Sequence, residues 1–246
     1  MKRLIAMLLA FLMLTAFAVV PAAAAEEPRT LTIGTLSTAD SFDPLSSEQN
    51  MACFMVYDTI IQRDPATMEL APCVAQAWEW VDDTTLRLDI RDDIYFSNGE
   101  KLTPEDVYYS LWRTIYVNDQ FTSSLSFADI DFDASYIEGN SLYLIYTKVN
   151  AAALIDLATR WGSVLCKSYV ESTDEEAFWD QPVGSGAYRV VENVAGSHSS
   201  YVRNDDYWDT LPEASEVIIN YYSEASTMYI DLELGAIDIA IDVAKN

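Results

Sequence analysis

APCVAQAWEWVDDTTLRLDIRDDIYFSNGEKLTPEDVYYSL, residues 71–111, is the part of the sequence that decides the fold. Apolar and charged residues alternate over residues 86–91, and this pattern predicts a strand with one buried face. After a polar turn, Thr103 is expected to cap a helix that has Pro104 as its first residue and Asp106 as its third-position acid. The stretch therefore predicts a strand and an amphipathic helix joined by a turn.

The same periodicities predict further elements on both sides of this stretch. Strands are predicted at 29–36, 127–132, 141–146, 187–194, 199–203, 217–222 and 237–243. Helices are predicted at 47–61, 104–116, 151–158 and 226–234, the last of them ended by Gly235. Because strands and helices are mixed and no internal repeat is present, the predicted fold class is α/β, a mixed α+β arrangement.

The first 25 residues have the features of a secretion signal. Lys2 and Arg3 precede an apolar run over residues 4–20, and small residues at 23–25 offer a cleavage site. A membrane anchor is the alternative, but the run is at the short limit for a membrane span. We therefore expect residues 1–25 to be removed and the mature chain to be secreted. A cysteine that would mark a lipoprotein signal is absent from the end of the run.

The chain is strongly acidic, with 39 acidic and 14 basic residues and a formal charge of −25. Such a charge argues against nucleic acid and against anionic membrane surfaces as partners. It does not identify a ligand, because most of these charges are expected on solvated faces.

The sequence offers little for catalysis. His198 is the single histidine, and it is predicted to lie in a hairpin turn between Ser197 and Ser199, where a solvated role is expected. The motif GSG at 184–186 lacks the lysine and the spacing of a phosphate-binding loop, so its glycines are expected to permit a sharp turn. We predict no catalytic residues, no metal ligands and no cofactor, and a secreted hydrolase is the alternative from another class.

Three cysteines lie far apart, at Cys53, Cys73 and Cys166, without the spacing of a metal site. Two arrangements remain open: a single Cys53–Cys73 disulfide formed after export, or three unpaired thiols in the core.

Five motifs occur along the chain in a fixed order. They are YDTII (57–61) followed by RDP (63–65), AP with AQAW (71–78), PVGSGAY (182–188), NDDYW (204–208) and LGAIDIA (234–240). Together with the opening stretch, they resemble family 5 of the extracytoplasmic solute-binding proteins, the peptide- and nickel-type receptors of ABC importers. The departures are Cys73-Val74 where a small residue and Leu are usual, Ser185 in place of Thr, and Ala187 in place of Pro.

The resemblance implies a fold. The chain would form lobe I of a class II periplasmic-binding-protein-like structure, with a mixed sheet and an inserted subdomain. Residues 29–45 and 182–243 would form the core subdomain, and residues 46–181 the inserted one. Since members of the family are about twice this length, the resemblance implies that the second lobe is missing here and that the sequence is partial.

The resemblance also implies a function. The chain would belong to a monomeric extracytoplasmic receptor that captures oligopeptides or dipeptides for an ABC permease and its ATPase. Receptors for nickel chelates, haem or sugars are the alternatives within the family. The turn Ser37-Thr38-Ala39-Asp40 after the first strand would line the ligand cleft, and Phe121 would be a cleft-facing aromatic contact. A solvent-exposed turn is the alternative for residues 37–40.

Overall fold

The computed structural model describes residues 29–38, 41–45, 52–117, 125–174 and 179–241. Within these ranges, the strands are β1 (Thr30–Thr35), β2 (Ile61–Arg63), β3 (Leu70–Pro72), β4 (Ala75–Trp80), β5 (Thr85–Ile90), β6 (Ile130–Glu138), β7 (Ser141–Tyr146), β8 (Tyr188–Val194), β9 (His198–Arg203), β10 (Glu216–Tyr221) and β11 (Ile239–Ala240). The helices are α1 (Cys53–Val56), α2 (Pro104–Tyr116), α3 (Ala153–Leu157), α4 (Lys167–Ser172) and α5 (Ala225–Glu233).

The strand and the helix predicted from the opening stretch both form. Every second residue of β5 is fully buried, as the alternation of apolar and charged residues requires. Helix α2 begins at Pro104, and the carboxylate of Asp106 closes its first turn. Asp106 Oδ2 accepts hydrogen bonds from the Thr103 backbone N–H at 2.9 Å and from Thr103 Oγ1 at 2.7 Å. The local signals for this helix therefore agree with its observed start.

A five-stranded mixed sheet has the strand order β11-β1-β10-β9-β8. Strand β1 runs parallel to both β10 and β11, whereas β10, β9 and β8 form an antiparallel meander. Helix α5 connects β10 to β11, which lie on opposite sides of β1. A helical crossover of this kind is what parallel strands require, because a tight turn cannot join them.

A four-stranded antiparallel sheet, with the order β4-β5-β7-β6, is formed by residues between β1 and β8. Strands β2 and β3 pair as a separate two-stranded sheet. Helix α2 packs on the inner face of the four-stranded sheet through its apolar side. This core contains, among others, Leu86, Leu88, Val107, Leu111, Phe127, Leu142 and Leu144.

A second hydrophobic core lies against the five-stranded sheet. Its buried members include Ile33, Phe42, Cys53, Val56, Tyr57, Tyr188, Tyr201, Val217 and Ile219. Two cores, each against its own sheet, account for the burial of most apolar side chains in the described residues. The predicted subdomain boundaries, 29–45 plus 182–243 for the core and 46–181 for the insertion, remain a proposal.

The helix predicted at 47–61 is wrong over most of its described part. Helix α1 ends at Val56, and Tyr57 is extended with φ −117° and ψ 140°. The backbone of the next residues pairs with a distant segment: Ile60 N–H donates to Gly162 O at 2.9 Å, and Val164 N–H donates to Asp58 O at 2.9 Å. Tertiary pairing has therefore overridden the helical periodicity. Of the closing strand predicted at 237–243, residues 237–241 are described, and within them the strand is Ile239–Ala240, which pairs with β1.

All three cysteines are unpaired and buried. The Cys53–Cys73 disulfide, which was one of the two arrangements left open, is not formed. Burial raises the pKa of Cys53 to about 12, and it also raises the pKa values of Cys73 and Cys166. The thiols therefore stay protonated at neutral pH and act as small apolar core residues.

The predicted secretion signal, residues 1–25, lies outside the described residues. Among the helices of the described ranges, none has the length and apolar character needed to cross a bilayer.

Candidate ligand-binding site

The carboxyl ends of the parallel strands β1, β10 and β11 meet at one edge of the five-stranded sheet. Two hydrogen bonds extend the pairing there: Tyr222 N–H donates to Thr35 O at 2.8 Å, and Ile241 N–H donates to Gly34 O at 2.9 Å. In open α/β sheets, ligands bind in the crevice outside the carboxyl ends of the strands. We call this region, with Ser37, Thr38 and Tyr222 at its centre, the carboxyl edge.

The predicted ligand turn begins at this edge. Ser37 and Thr38 follow β1 after one intervening residue, Leu36, and are half-buried. The backbone N–H of Ser37 donates to Thr35 Oγ1 at 3.1 Å, which fixes the direction in which the chain leaves the strand. Ala39, Asp40 and Phe121, the other predicted contact residues, lie outside the described residues. The ligand role of all five residues remains a prediction.

The β8–β9 hairpin turn reaches the same edge, because β9 runs antiparallel to β10. His198 lies opposite Asn220 in the register, and Tyr221 N–H donates to Ser197 O at 2.8 Å. His198 is thus the first residue of β9, and its predicted position in the turn is wrong. Asn220 and Tyr222 were not predicted from the sequence to belong to the site. The alternation over 217–222 predicts the strand that carries these residues. Their place beside Ser37 follows only from the pairing of β10 with β1, which the alternation does not indicate.

His198 has a polar neighbour at each ring nitrogen. Ser197 Oγ lies 3.2 Å from Nδ1, and Glu192 Oε2 lies 3.5 Å from Nε2. Both distances are at or beyond the usual limit for a hydrogen bond within a serine–histidine–carboxylate triad. The side chain of Glu192 is more than half exposed, whereas the carboxylate of a triad is buried. The group therefore fits a polar hairpin end better than a nucleophilic centre.

Hydrogen bonds made by hydroxyl groups hold the strands that end at the carboxyl edge. Ser199 Oγ is 2.7 Å from the hydroxyls of both Tyr201 and Tyr221, and the Tyr222 hydroxyl donates to Asp231 Oδ2 at 2.7 Å. Burial, and then the hydrogen bond to Asp231, raise the pKa of Tyr222 to about 12. These contacts fix the end of β10 against β9 and α5.

The segment that leaves the carboxyl edge is held by a charged pair. Arg113 of α2 contacts both carboxylate oxygens of Asp43, Nη1 to Oδ1 and Nη2 to Oδ2, each at 3.2 Å. The side chain of Arg113 is 5% exposed and that of Asp43 17%. A two-pronged pair of this kind fixes geometry as well as charge.

The buried carboxylate of Asp58 lies elsewhere, where the segment after α1 meets the segment after β9. Asp58 Oδ2 accepts a hydrogen bond from Trp208 Nε1 at 2.8 Å, and Oδ1 accepts one from the Tyr207 hydroxyl at 3.0 Å. Burial is the main cause that raises the pKa of Asp58 to about 6, and these hydrogen bonds partly offset it. Arg91 covers the Trp208 ring, with its guanidinium carbon 4.5 Å from the ring centroid.

Metal binding has no evident centre in the described part of the chain. Within the described residues, no group of three or more His, Cys, Asp or Glu side chains is arranged to hold a metal ion.

These features define a class: an α/β lobe with a mixed sheet whose parallel strands end at one candidate ligand edge. Residues 69–246 match the family described as "Bacterial extracellular solute-binding proteins, family 5 Middle". The chain belongs to this family. The resemblance noted in the sequence is thereby confirmed.

One curated relative and two solved structures show what this chain is similar to. The chain is 27% identical over 204 residues to the probable ABC transporter periplasmic-binding protein SapA of Escherichia coli (strain K12), an alignment of 74% of this chain and 37% of SapA. The nickel ABC transporter structure from Bacillus halodurans matches with a TM-score of 0.75 and 23% identity, over 86% of this chain and 42% of that one. The DppA protein from Helicobacter pylori in complex with peptide STSA matches with a TM-score of 0.74 and 20% identity, over 85% and 45%.

The predicted fold class is confirmed by these two structures, because most of this chain superimposes on part of each, with TM-scores of 0.75 and 0.74. This chain spans less than half the length of each of the three proteins.

Proposed function

We propose that this chain forms the first lobe of an extracytoplasmic receptor that captures oligopeptides or dipeptides for an ABC importer. The observation that carries the proposal is the carboxyl edge, where three parallel strands end beside the backbone of Ser37 and Thr38. An extended peptide offers main-chain donors and acceptors, and the backbone of the turn that follows β1 would pair with these without reading side chains. Membership in family 5 and the peptide held by a structural relative support it.

The proposed mechanism is capture without chemistry. The peptide enters between this lobe and a second lobe, and hinge closure buries it. Bridging water then fills the side-chain pockets, which permits different peptide sequences to bind. The closed receptor docks on a membrane permease whose ATPase supplies the energy, and no covalent bond of the solute is made or broken.

The proposed compartment is the periplasm or the outer face of the cell membrane, and the proposed working form is a monomer. The formal charge of −25 favours a protein that stays dissolved outside the cell, and it disfavours binding to nucleic acid. Adjacent genes for two permeases and two ATPases would support the importer role.

Calorimetry tests the choice of ligand. One lobe supplies one wall of the proposed cleft, so we expect residues 26–246 to bind trialanine at least about 100-fold more weakly than a full-length relative binds its peptide. Titrations with nickel–histidine and with haem run in parallel. Tight trialanine binding by this chain alone would contradict the two-lobe cleft. Binding of nickel–histidine or haem, with no response to any peptide, would contradict peptide as the solute.

A hydrolysis assay separates the receptor from the secreted hydrolase. We expect the chain to leave peptide and glycoside substrates intact, because the neighbours of His198 are too distant and too exposed to activate a nucleophile. His198→Ala should therefore change no hydrolysis rate. Measurable turnover that is lost in His198→Ala, and retained in the control Ser200→Ala on the same strand, would reverse the assignment.

A further inference from the structure

The segment 41–45, which follows the carboxyl edge, is fixed by side chains from two other elements. Arg113 of α2 donates a hydrogen bond from each of its two terminal nitrogens to the carboxylate of Asp43. Arg160, from the turn at 160–162, donates from Nη1 to Pro44 O at 3.1 Å. Both contacts come from residues at least 70 positions away in the sequence, so the shape of this segment depends on the inserted part of the chain.

The carboxylate of Asp43 also organises its own segment. Its Oδ1 accepts the backbone N–H of Leu45 at 2.9 Å, and the Asp43 backbone N–H donates to Ser41 Oγ at 3.1 Å. Phe42 is buried in the core against the five-stranded sheet, and Leu45 is also buried. The segment therefore has its backbone, its charge and its apolar side chains all fixed.

The guanidinium of Arg113 is confined as well. Its central carbon lies 4.8 Å from the centroid of the Trp179 ring, and the side chain is 5% exposed. A buried ion pair adds little net stability compared with apolar residues of the same size, because both charges lose their water. Its value lies in geometry, since a fork-shaped contact between planar groups tolerates little displacement.

We infer that Arg113 is a positioning residue for the ligand-contacting backbone at the carboxyl edge; this inference rests on the proposed function. The chain from β1 is anchored at its start by the hydrogen bond from Tyr222 N–H to Thr35 O and again at Asp43 by Arg113. Ser37 and Thr38 lie between the two anchors. Backbone that is already ordered before the peptide arrives loses less entropy on binding, and binding is correspondingly tighter.

Amide hydrogen exchange and peptide affinity together test the inference on the full chain. In Arg113→Met, we expect the amides of 36–38, 41–43 and 45 to exchange at least about tenfold faster and trialanine to bind about tenfold more weakly. Arg113→Lys keeps the charge but loses the fork, and it should show the same changes to a smaller extent. Asp58→Asn, which alters a buried carboxylate in another part of the chain, is the matched control and should leave both readouts for this segment unchanged.

The double variant Asp43→Leu/Arg113→Met separates positioning from simple stabilisation. It removes both charges together, so resistance to urea should recover while exchange at 36–38 stays fast and affinity stays low. Recovery of slow exchange and of affinity along with stability would overturn the inference, and so would unchanged exchange in both Arg113→Met and Arg113→Lys. The exchange readout needs no ligand, so it decides the role of Arg113 even where wild-type chain binds no peptide and the proposed function fails.

Discussion

Gly184→Ala is expected to destabilise the chain by at least about 3 kcal/mol, because the added methyl group would overlap fixed backbone atoms. A Cβ at position 184 would lie 2.0 Å from Val56 O and 2.8 Å from Val56 C, which are backbone atoms that cannot rotate away. The loop cannot retreat easily, because Gly186 N–H donates to Val56 O and Ser97 N–H donates to Gly184 O, both at 2.9 Å. The GSG motif is thus a close backbone contact, as expected for an architectural turn.

Urea unfolding followed by tryptophan fluorescence measures this loss. Gly196→Ala is the matched control, since a Cβ there meets nothing within 4 Å while φ is +67°. That control should lose only about 1 kcal/mol, the cost of a left-handed backbone in an L-residue. Equal stability losses in the two variants would show that the close contact with Val56 does not add to the cost of a methyl group at position 184.

Asp58→Asn is expected to abolish a pH-dependent stability difference of about 3 kcal/mol. The folded pKa of Asp58 is about 6, against an ordinary value of 3.8, because burial disfavours the charged carboxylate. The folded state therefore binds the proton more tightly than the unfolded state does. Ionised Asp58 costs stability at pH 7, and this cost is relieved as pH falls from about 6 to about 4. Asn keeps an acceptor for Trp208 Nε1 but cannot titrate.

The free energy of unfolding, measured for both proteins from pH 4 to pH 7, checks this difference. Wild type should gain stability relative to Asp58→Asn as the solution is acidified. The exposed Asp64 provides a control of opposite sign, because backbone hydrogen bonds from Thr67 and Ala66 lower its pKa. Wild type should lose stability relative to Asp64→Asn only in a further measurement below about pH 4, because a lowered pKa lies under the ordinary value of 3.8. A constant difference between wild type and Asp58→Asn from pH 4 to pH 7 would contradict the assignment of Asp58 as a buried, titrating group.

Elements with local signals were predictable from the sequence. Helix α2 has its cap, its proline and its apolar stripe within residues 103–116, and it forms there. Strand β5 alternates and pairs on both sides. The region after Val56 was not predictable in this way, because its backbone bonds go to residues around 162–164. Periodicity alone cannot show such a partner.

The candidate site was predictable only in part. The turn at 37–40 was placed after the first strand by resemblance, and its described residues, Ser37 and Thr38, do lie at the carboxyl edge. Tyr222 and Asn220 reach this edge through a parallel pairing across about 186 residues, and Arg113 reaches Asp43 across 70. A local sequence pattern cannot predict contacts between residues so far apart in the sequence. The residues that support the site could therefore be identified only from the fold.

Mapping a bound peptide on the amide NMR spectrum tests the central claim most directly. Trialanine titrated to millimolar concentration into isotope-labelled chain should shift the amides of Ser37, Thr38 and Tyr222 at the carboxyl edge. The outer face of the four-stranded sheet, with Arg87 and Tyr143 in register, serves as the internal reference and should not respond. Shifts confined to that outer face, with none at the carboxyl edge, would contradict the account.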